Sequence, residues 1–581
     1  MTNLDWSLVA LYTLIAVAIG VYYRKYAGKN IEEYFIKGRK LSWWLMGVSA
    51  VATYTDAGLA PAVTMWVYQG GLLGNGVWWI PYVIWMPLAA VFWSKFWRRL
   101  RTITTAEMLE VRYAGRAARV YRGLYAFFMS FGFVVMLMGY VSGWLSAALR
   151  PILGWEPVNL IIISGIVTVF YTSLAGQYGV VYGDLFQFIV FLLGNIIFVP
   201  IAVAAVGGMD AIYANIHTLR GAQAQEFFNV LPPNSTLTGL TILAFVVQGM
   251  FFAASPTGGE GFTAQRFMAA KNEFHAQVGQ LFNAVLTLIV RVLPFIFLGM
   301  VGAAIFKPGT ISEPGEIWAR LVHKFSPTGL TGLLVAGIFA GYMSTISTEM
   351  NWGASYVVND LYKRFIKTHG TDRHYVLVSR FASILLFGLS LFVAYYLVKG
   401  MQAWFLFINS VVFAFMLPLS WLRFFWWRLN IYGEAAALVI GLPLGYIVWF
   451  PLGFSKLPFW QGFLILFGLG WLIIITVTIL TRPERLETLK EFYHRCRPPG
   501  LWGPVTREFS AKEVSAIQSE TRRDILDCGL GIIFCACSIL ASISLFAKNY
   551  VVFLVAILGF VMGGGLFVYR WKKRGVFQQL F

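Results

Sequence analysis

The chain has 581 residues, of which 58% are hydrophobic and only 12% are charged, and its mean hydropathy is +0.69. These values exclude a soluble globular protein, because apolar segments long enough to cross a bilayer recur from one end to the other. The net charge of +19 does not indicate a nucleic-acid partner, since lysine and arginine concentrate in short loops, as cytoplasmic loops of membrane proteins do. We therefore expect an all-α protein embedded in lipid.

The apolar segments predict about fifteen transmembrane helices. Basic loops follow nearly every odd-numbered segment, which predicts an N-terminus outside and a C-terminus in the cytoplasm of the plasma (inner) membrane. The long polar stretch 482–525 is too short for an independent core and is expected to be a cytosolic linker with a short surface helix. In chain order the segments are 5–23, 42–71, 74–96, 121–149, 156–173, 180–206, 237–256, 276–305, 328–360, 375–399, 402–425, 432–453, 459–481, 526–546 and 550–570.

The second apolar segment is interrupted by the stretch from Ala52 to Pro61, which combines small residues, a proline and the carboxylate Asp56. A helix broken there exposes backbone carbonyls and half-helix ends, which can hold ions and a solute. The alternative is a proline kink with Asp56 reaching the interface. The mid-segment position disfavours this alternative, because a central carboxylate lies far from the interface.

Another interruption of the apolar pattern is the stretch Tyr171–Gln187, whose glycines predict a turn that leads into a helix. Asp184 is expected in the first turn of that helix. The structural alternative for Asp184 is an N-cap, in which its side chain accepts from a backbone N–H of the same helix.

Four hydroxyl side chains lie within five residues of one another in a long apolar segment that begins near Leu330: Ser344, Thr345, Ser347 and Thr348. Buried hydroxyls are costly unless they find partners, and uncharged oxygens in a cluster suit a dehydrated hard cation such as Na⁺. The alternative is that they bond back to carbonyls of their own helix or allow close helix packing.

Five short motifs, in order along the chain, resemble those of the sodium/solute symporter family, which includes carriers of sugars, proline, pantothenate and sialic acid. The match extends from about residue 5 to 450. The motifs are Glu33–Arg39 (family D-Y-F-x-x-G-R), Tyr171–Gln187 (Y-T-x-x-G-G-x-x-x-V-x-x-x-D-x-x-Q), Gln265–Lys271 (V-Q-R-x-x-A-A-K), Ser344–Lys363 (S-[ST]…N…D-[IL]-Y-K) and Arg428–Gly433 (R-x-N-x-x-G).

The resemblance implies a LeuT-type core, in which two five-helix repeats of inverted topology surround the ion and solute sites. One leading helix would precede this five-plus-five core and four helices would follow it. The implied units are 1–41 (leading helix and cytosolic loop), 42–206 (first repeat), 237–425 (second repeat), 426–481 (peripheral helices), 482–525 (cytosolic linker) and 526–581 (two C-terminal helices and a basic tail).

The resemblance also implies a main sodium site. It would use backbone oxygens of Ala52, Thr55 and Gly341, together with the hydroxyls of Ser344 and Thr345.

Some members of the family hold a second sodium ion with an aspartate and further hydroxyls. Asp184, Ser344, Ser347 and Thr348 match that pattern in this chain.

Four residues are candidates for the solute pocket or its gate: Tyr54, Asp56, Glu260 and Arg291. The resemblance places the first three along the solute cavity. Arg291 falls in the middle of segment 276–305, where an unpaired charge is costly. The alternative is that these charges form an internal ion-pair network.

We therefore expect a Na⁺-coupled secondary symporter that imports a small polar organic solute, such as a sugar or an amino acid, by alternating access. Na⁺ is the expected coupling ion, as one or two ions. One alternative is a membrane-embedded enzyme such as a multi-pass acyltransferase, but all six histidines fall in loops or at segment ends. Another alternative is a channel or a sensor derived from the transporter fold.

Overall fold

A computed structural model describes residues 1–230, 239–253, 255–396 and 408–579. These residues form helices and connecting loops, and they contain no β-strand. Within this part of the chain, eleven helices are long and apolar enough to cross a membrane. They are Asn3–Ala27, Leu72–Leu100, Gly115–Leu153, Pro157–Ala205, Glu273–Ile305, Leu330–Ile366, Asp372–Tyr396, Ile431–Trp449, Trp460–Leu480, Ala511–Phe546 and Tyr550–Lys573. Shorter apolar helices are Trp43–Thr53, Leu240–Phe252 and Ala414–Phe425.

The first broken helix consists of two halves, Trp43–Thr53 and Leu59–Gly70. The residues between them, 54–58, leave the helical path, as the sequence predicts for this stretch. Pro61 lies in the first turn of the second half. Backbone N–H groups in a first turn have no intrahelical acceptor, so the N–H that proline lacks costs the helix no hydrogen bond. The proline therefore starts a half-helix instead of bending a continuous one.

The second broken helix consists of Gly239–Phe252 and Phe262–Ala269. Glycines allow the tight path between its halves, because a Cβ at Gly259 or Gly261 would lie less than 2 Å from a backbone carbonyl oxygen. The two broken helices are joined at one end, where the Leu41 N–H donates to the Ala269 carbonyl at 2.9 Å and the Lys271 N–H donates to the Leu41 carbonyl at 3.0 Å.

The kinked helix, Pro157–Ala205, contains the two predicted segments 156–173 and 180–206, which meet at Gly176. Gly176 has φ +48° and ψ −142°, and a Cβ there would lie 2.5 Å from the Tyr34 carbonyl oxygen. Asp184 lies well beyond the first turn that follows this kink. The N-cap alternative for Asp184 is therefore wrong, and its side chain is free to make tertiary contacts.

The hydroxyl helix, Leu330–Ser355, belongs to the most buried of the eleven long spans, and almost all of its residues are buried. It packs against the leading helix Asn3–Ala27, the first half of the first broken helix, the kinked helix and Asp372–Tyr396. The predicted hydroxyl cluster therefore lies in the protein interior and not against lipid.

The predicted linker 482–525 is docked against the transmembrane helices. Its helix Leu486–Cys496 buries one face, and the short helix Gly503–Thr506 follows it. The next long helix begins at Ala511, earlier than the predicted start at 526. The buried guanidinium of Arg112 lies 5.2 Å from the Phe492 ring and 5.0 Å from the Trp502 ring. The same guanidinium donates to the Arg423 carbonyl at 3.1 Å. Arg112 therefore joins the linker to the core.

Replacing Arg112 by alanine should detach this segment. The change removes buried hydrogen bonds and the ring contacts, which together contribute about 3 kcal/mol. We expect a lower Tm in detergent and faster proteolytic cleavage within 482–510. The control is Arg116→Ala, which changes an exposed arginine nearby. Equal cleavage rates in the two variants would contradict the assigned role of Arg112.

Candidate functional site

The break in the first broken helix faces the middle of the hydroxyl helix. The Thr345 Oγ1 donates to the Thr53 carbonyl at 2.8 Å and lies 3.2 Å from the Gly341 carbonyl oxygen. Gly341 allows this close approach, since a Cβ there would lie 2.7 Å from the Thr55 carbonyl oxygen. Three of the five predicted main-site residues, Thr55, Gly341 and Thr345, are thus brought together.

The other two residues of the predicted main site lie at its edge. The Ala52 carbonyl lies in the last turn of the first half-helix and accepts from the Thr55 N–H at 3.0 Å. The second lone pair of the carbonyl oxygen remains available. The Ser344 hydroxyl donates to Asp184 Oδ1 at 2.6 Å. The set offers uncharged carbonyl and hydroxyl oxygens at a broken helix, which is the chemistry that holds Na⁺ in transporters. These residues fit a sodium ion.

Asp184 is fully buried and is the centre of a second cluster. Its Oδ1 accepts from Ser344, and its Oδ2 accepts from the Ser49 hydroxyl at 2.5 Å and from Arg266 Nη2 at 3.1 Å. The kinked helix, the hydroxyl helix and both broken helices therefore meet at one carboxylate.

Arg266 reaches into the residues predicted to hold a second sodium ion. Its Nη2 donates to Thr348 Oγ1 at 3.0 Å and to Thr53 Oγ1 at 2.6 Å, and its Nε donates to Ser49 Oγ at 2.9 Å. The Ser347 hydroxyl instead donates to a carbonyl of its own helix. Asp184, Ser344 and Thr348 thus converge, with a guanidinium between Asp184 and Thr348.

Sequence reasoning missed Arg266 and Ser49 as members of this cluster. Arg266 appeared only as part of a family motif, because it falls between the predicted segments 237–256 and 276–305, where an arginine is expected in a loop. Ser49 carried no signal, since a single serine in a helix is more often bonded to its own backbone.

Two solute candidates hold the break in place. The Tyr54 hydroxyl lies 2.9 Å from the Thr257 carbonyl and 2.7 Å from Thr263 Oγ1, so it connects the two broken helices. The Arg291 guanidinium donates through Nη1 to the Tyr54 carbonyl. Both residues therefore fix the position of the break.

Asp56 remains partly exposed within the protein, and its Oδ1 accepts from the Gly58 N–H at 2.9 Å. Among the described residues Asp56 forms no salt bridge, and Arg291 bonds instead to the carbonyl of the neighbouring Tyr54. The rings of Tyr82 and Tyr140 lie within electrostatic range of the carboxylate, and Trp144 packs against Gly58. An accessible carboxylate among aromatic rings suits a polar solute.

Glu260 lies in an ion-pair network, as in the alternative weighed for these charges. Its carboxylate accepts from Arg423, from Ser420 and from the Tyr125 hydroxyl, the last at 2.9 Å. Arg423 also pairs with the buried Glu434. Because these partners engage both carboxylate oxygens, we do not include Glu260 in the solute site.

Two broken helices and an uncharged oxygen cluster in a membrane-embedded core define a secondary transporter. Residues 34–441 match the model of the sodium:solute symporter family, and the chain belongs to this family. It is therefore a Na⁺-coupled symporter and not an enzyme.

The chain is similar to several known symporters. It is 25% identical to the sodium/mannose cotransporter of Bos taurus, over 77% of this chain and 78% of that protein. It is also 25% identical to the sodium/sialic acid symporter SiaT of Proteus mirabilis, over 69% of this chain and 79% of that protein. A solved structure of a Na⁺-coupled sialic acid symporter shares the fold, with a TM-score of 0.70, 23% identity and coverage of 83% of this chain and 99% of that one.

Gly341→Ala tests the close approach at the break. The added methyl group would press on the Thr55 carbonyl, which is backbone and cannot rotate away. We expect the Na⁺ concentration for half-maximal thermal stabilisation to rise about tenfold. Gly388→Ala is the matched control, because it adds the same methyl group in a helix where nothing lies within 4 Å. An unchanged Na⁺ dependence in Gly341→Ala would remove Gly341 from the site.

Proposed function

We propose that this protein imports a small polar organic solute with Na⁺, and that the main sodium site lies between the first break and the hydroxyl helix. The observation that carries the proposal is the position of Thr345 Oγ1, within hydrogen-bond distance of both Thr53 O and Gly341 O. Bound Na⁺ would supply a positive charge that draws the break and the hydroxyl helix together. Ala52, Thr55, Gly341, Ser344 and Thr345 are the proposed ligands.

We infer that 42–206 and 237–425 are inverted five-helix repeats, with 1–41 before them and 426–481, 482–525 and 526–581 after them. A broken helix near the start of each supports this division, since discontinuous helices in corresponding positions are typical of such transporters. The loop charges support an N-terminus outside and a C-terminus in the cytoplasm of the plasma (inner) membrane. We propose a total of about fifteen transmembrane helices, which includes segments other than the eleven long spans described above.

Asp56 is the proposed solute ligand. Its remaining acceptor positions suit hydroxyl or amine donors, and the surrounding aromatic side chains suit the apolar face of a sugar or of an amino acid. Tyr54 and Arg291 are proposed to position the backbone that carries Asp56. The sugar and sialic acid substrates named for the similar proteins are compatible with this chemistry.

Coupling follows from the adjacency of Thr55 and Asp56. Thr55 presents its carbonyl to the proposed sodium ligands, and Asp56 presents its carboxylate to the cavity, within one non-helical stretch. Ordering this stretch for one ligand reduces the cost of ordering it for the other. By linkage, each ligand should raise the affinity for its partner by the same factor.

Asp56→Asn tests the solute assignment. In proteoliposomes with an inward Na⁺ gradient, wild-type protein should take up one class from a panel of sugars, sugar acids and amino acids. Loss of the charged acceptor should weaken affinity for that solute by about 2 kcal/mol, or roughly thirtyfold. The Na⁺ dependence of stability without solute should remain unchanged.

The control for this test is Asp210→Asn, which neutralises a fully exposed carboxylate. Unchanged solute affinity in Asp56→Asn would contradict the solute assignment. Non-saturable flux along the Na⁺ gradient, with no concentrated solute, would instead favour the channel alternative.

A further inference from the structure

Glu349 is a buried carboxylate without a hydrogen-bond partner. It lies in the hydroxyl helix, one residue after Thr348, and its side chain is fully buried. Neither Oε1 nor Oε2 has a hydrogen-bond partner among the described residues. Burial of a carboxylate in a membrane protein is costly unless a partner or a cation compensates it, so an isolated one indicates a function.

The surroundings of Glu349 point to the helix Phe262–Ala269. Trp352 lies three residues after Glu349 and therefore on the same face of the helix. Its ring packs on the Phe262 ring, with centroids 6.2 Å apart. The Phe262 carbonyl in turn accepts from Arg266 Nη1 at 3.3 Å. Arg266 Nη2 also donates to the hydroxyl of Thr348, the residue immediately before Glu349, so the guanidinium lies close to the backbone that carries this carboxylate.

Other buried carboxylates near the hydroxyl helix bond directly to an arginine. Asp360 pairs with Arg122 at 2.6 Å, and Glu260 shares Arg423 with Glu434, which bonds to the same guanidinium. Arg266, by contrast, is near two carboxylates and bonds to only one of them. Asp184, Glu349 and Arg266, if all ionised, therefore carry one excess negative charge in a fully buried cluster.

We propose that Arg266 has two alternative partners, Asp184 and Glu349, and that a second Na⁺ decides between them. When the Asp184, Ser344 and Thr348 oxygens hold the ion, Arg266 moves from Asp184 to Glu349. Both carboxylates then have one cation each. Without the ion, Arg266 bonds to Asp184 and Glu349 has no hydrogen-bond partner.

This switch rests on the proposed function, because Ser344 belongs to both ion sites. In this switch Glu349 affects the binding of the second ion without contacting the ion. Glu349 lowers the cost of displacing Arg266, and so it raises the affinity of the Asp184 cluster for Na⁺. Residues of four helices then respond to one ion.

Thermal unfolding of the full-length protein in detergent tests the switch. NaCl is varied at constant ionic strength with choline chloride and at fixed pH. For wild-type protein we expect a Hill coefficient for Na⁺ above 1. For Glu349→Gln we expect a coefficient near 1, because the second Na⁺ should then bind about tenfold more weakly to the Asp184 cluster. Glu349→Asp, which keeps the charge, should recover most of the wild-type behaviour.

Asp360→Asn is the matched control, since it neutralises another buried carboxylate further along the same chain segment. It should lower the Tm without changing the Na⁺ dependence. Wild-type Na⁺ dependence in Glu349→Gln would overturn the switch and leave the main site intact, whereas absence of any Na⁺ stabilisation in wild-type protein would overturn the proposed function.

A structure determined in saturating NaCl gives an independent answer if the variants fold poorly. The switch requires the Arg266 guanidinium to lie on the Glu349 carboxylate there. A guanidinium that stays on Asp184 would overturn the proposal.

Discussion

Backbone groups freed by a broken helix inside a membrane must find partners within the protein, and the core of this structure is organised around that requirement. The Thr53 carbonyl accepts from Thr345, the Tyr54 carbonyl accepts from Arg291, and the Asp56 carbonyl accepts from the Leu59 N–H. The break is thus held by a hydroxyl on one side and by a guanidinium on the other. Removal of either partner would leave a buried carbonyl unsatisfied.

The same requirement explains why the proposed ion and solute sites are adjacent. A stretch that leaves the regular helical hydrogen-bond pattern presents carbonyl oxygens to the hydroxyl helix and leaves the Asp56 side chain partly exposed. The Asp184 cluster adds charge to this arrangement, because Arg266 connects the first broken helix to the second through Ser49 and Thr53. In the proposed switch, the contact between the two broken helices therefore depends on the charge of this buried cluster.

Much of this architecture could be predicted from the sequence. Apolar segments and loop charges indicated a polytopic membrane protein, Pro61 and the small residues before it indicated the first break, and the hydroxyl cluster indicated the interior face of its helix. These signals are local, since they depend on composition, on helix-breaking residues and on spacing along one segment.

The partners of the charged residues could not be predicted in this way. Glu260 had the same signal as Asp56, a position that the family resemblance places along the solute cavity, yet it pairs with Arg423, which is distant in the sequence. Arg266 and Asp184 likewise meet only after four helices have packed. Which carboxylate is neutralised and which remains accessible depends on these tertiary contacts.

The central claim is that Na⁺ binds where the hydroxyl helix meets the break, and the double variant Ser344→Ala/Thr345→Val tests it most directly. Its thermal unfolding should be measured with increasing NaCl against choline chloride at constant ionic strength, since a bound ion stabilises the folded state by mass action. We predict a folded protein whose Tm no longer responds to Na⁺. A double variant that keeps the wild-type Na⁺ response would contradict the account.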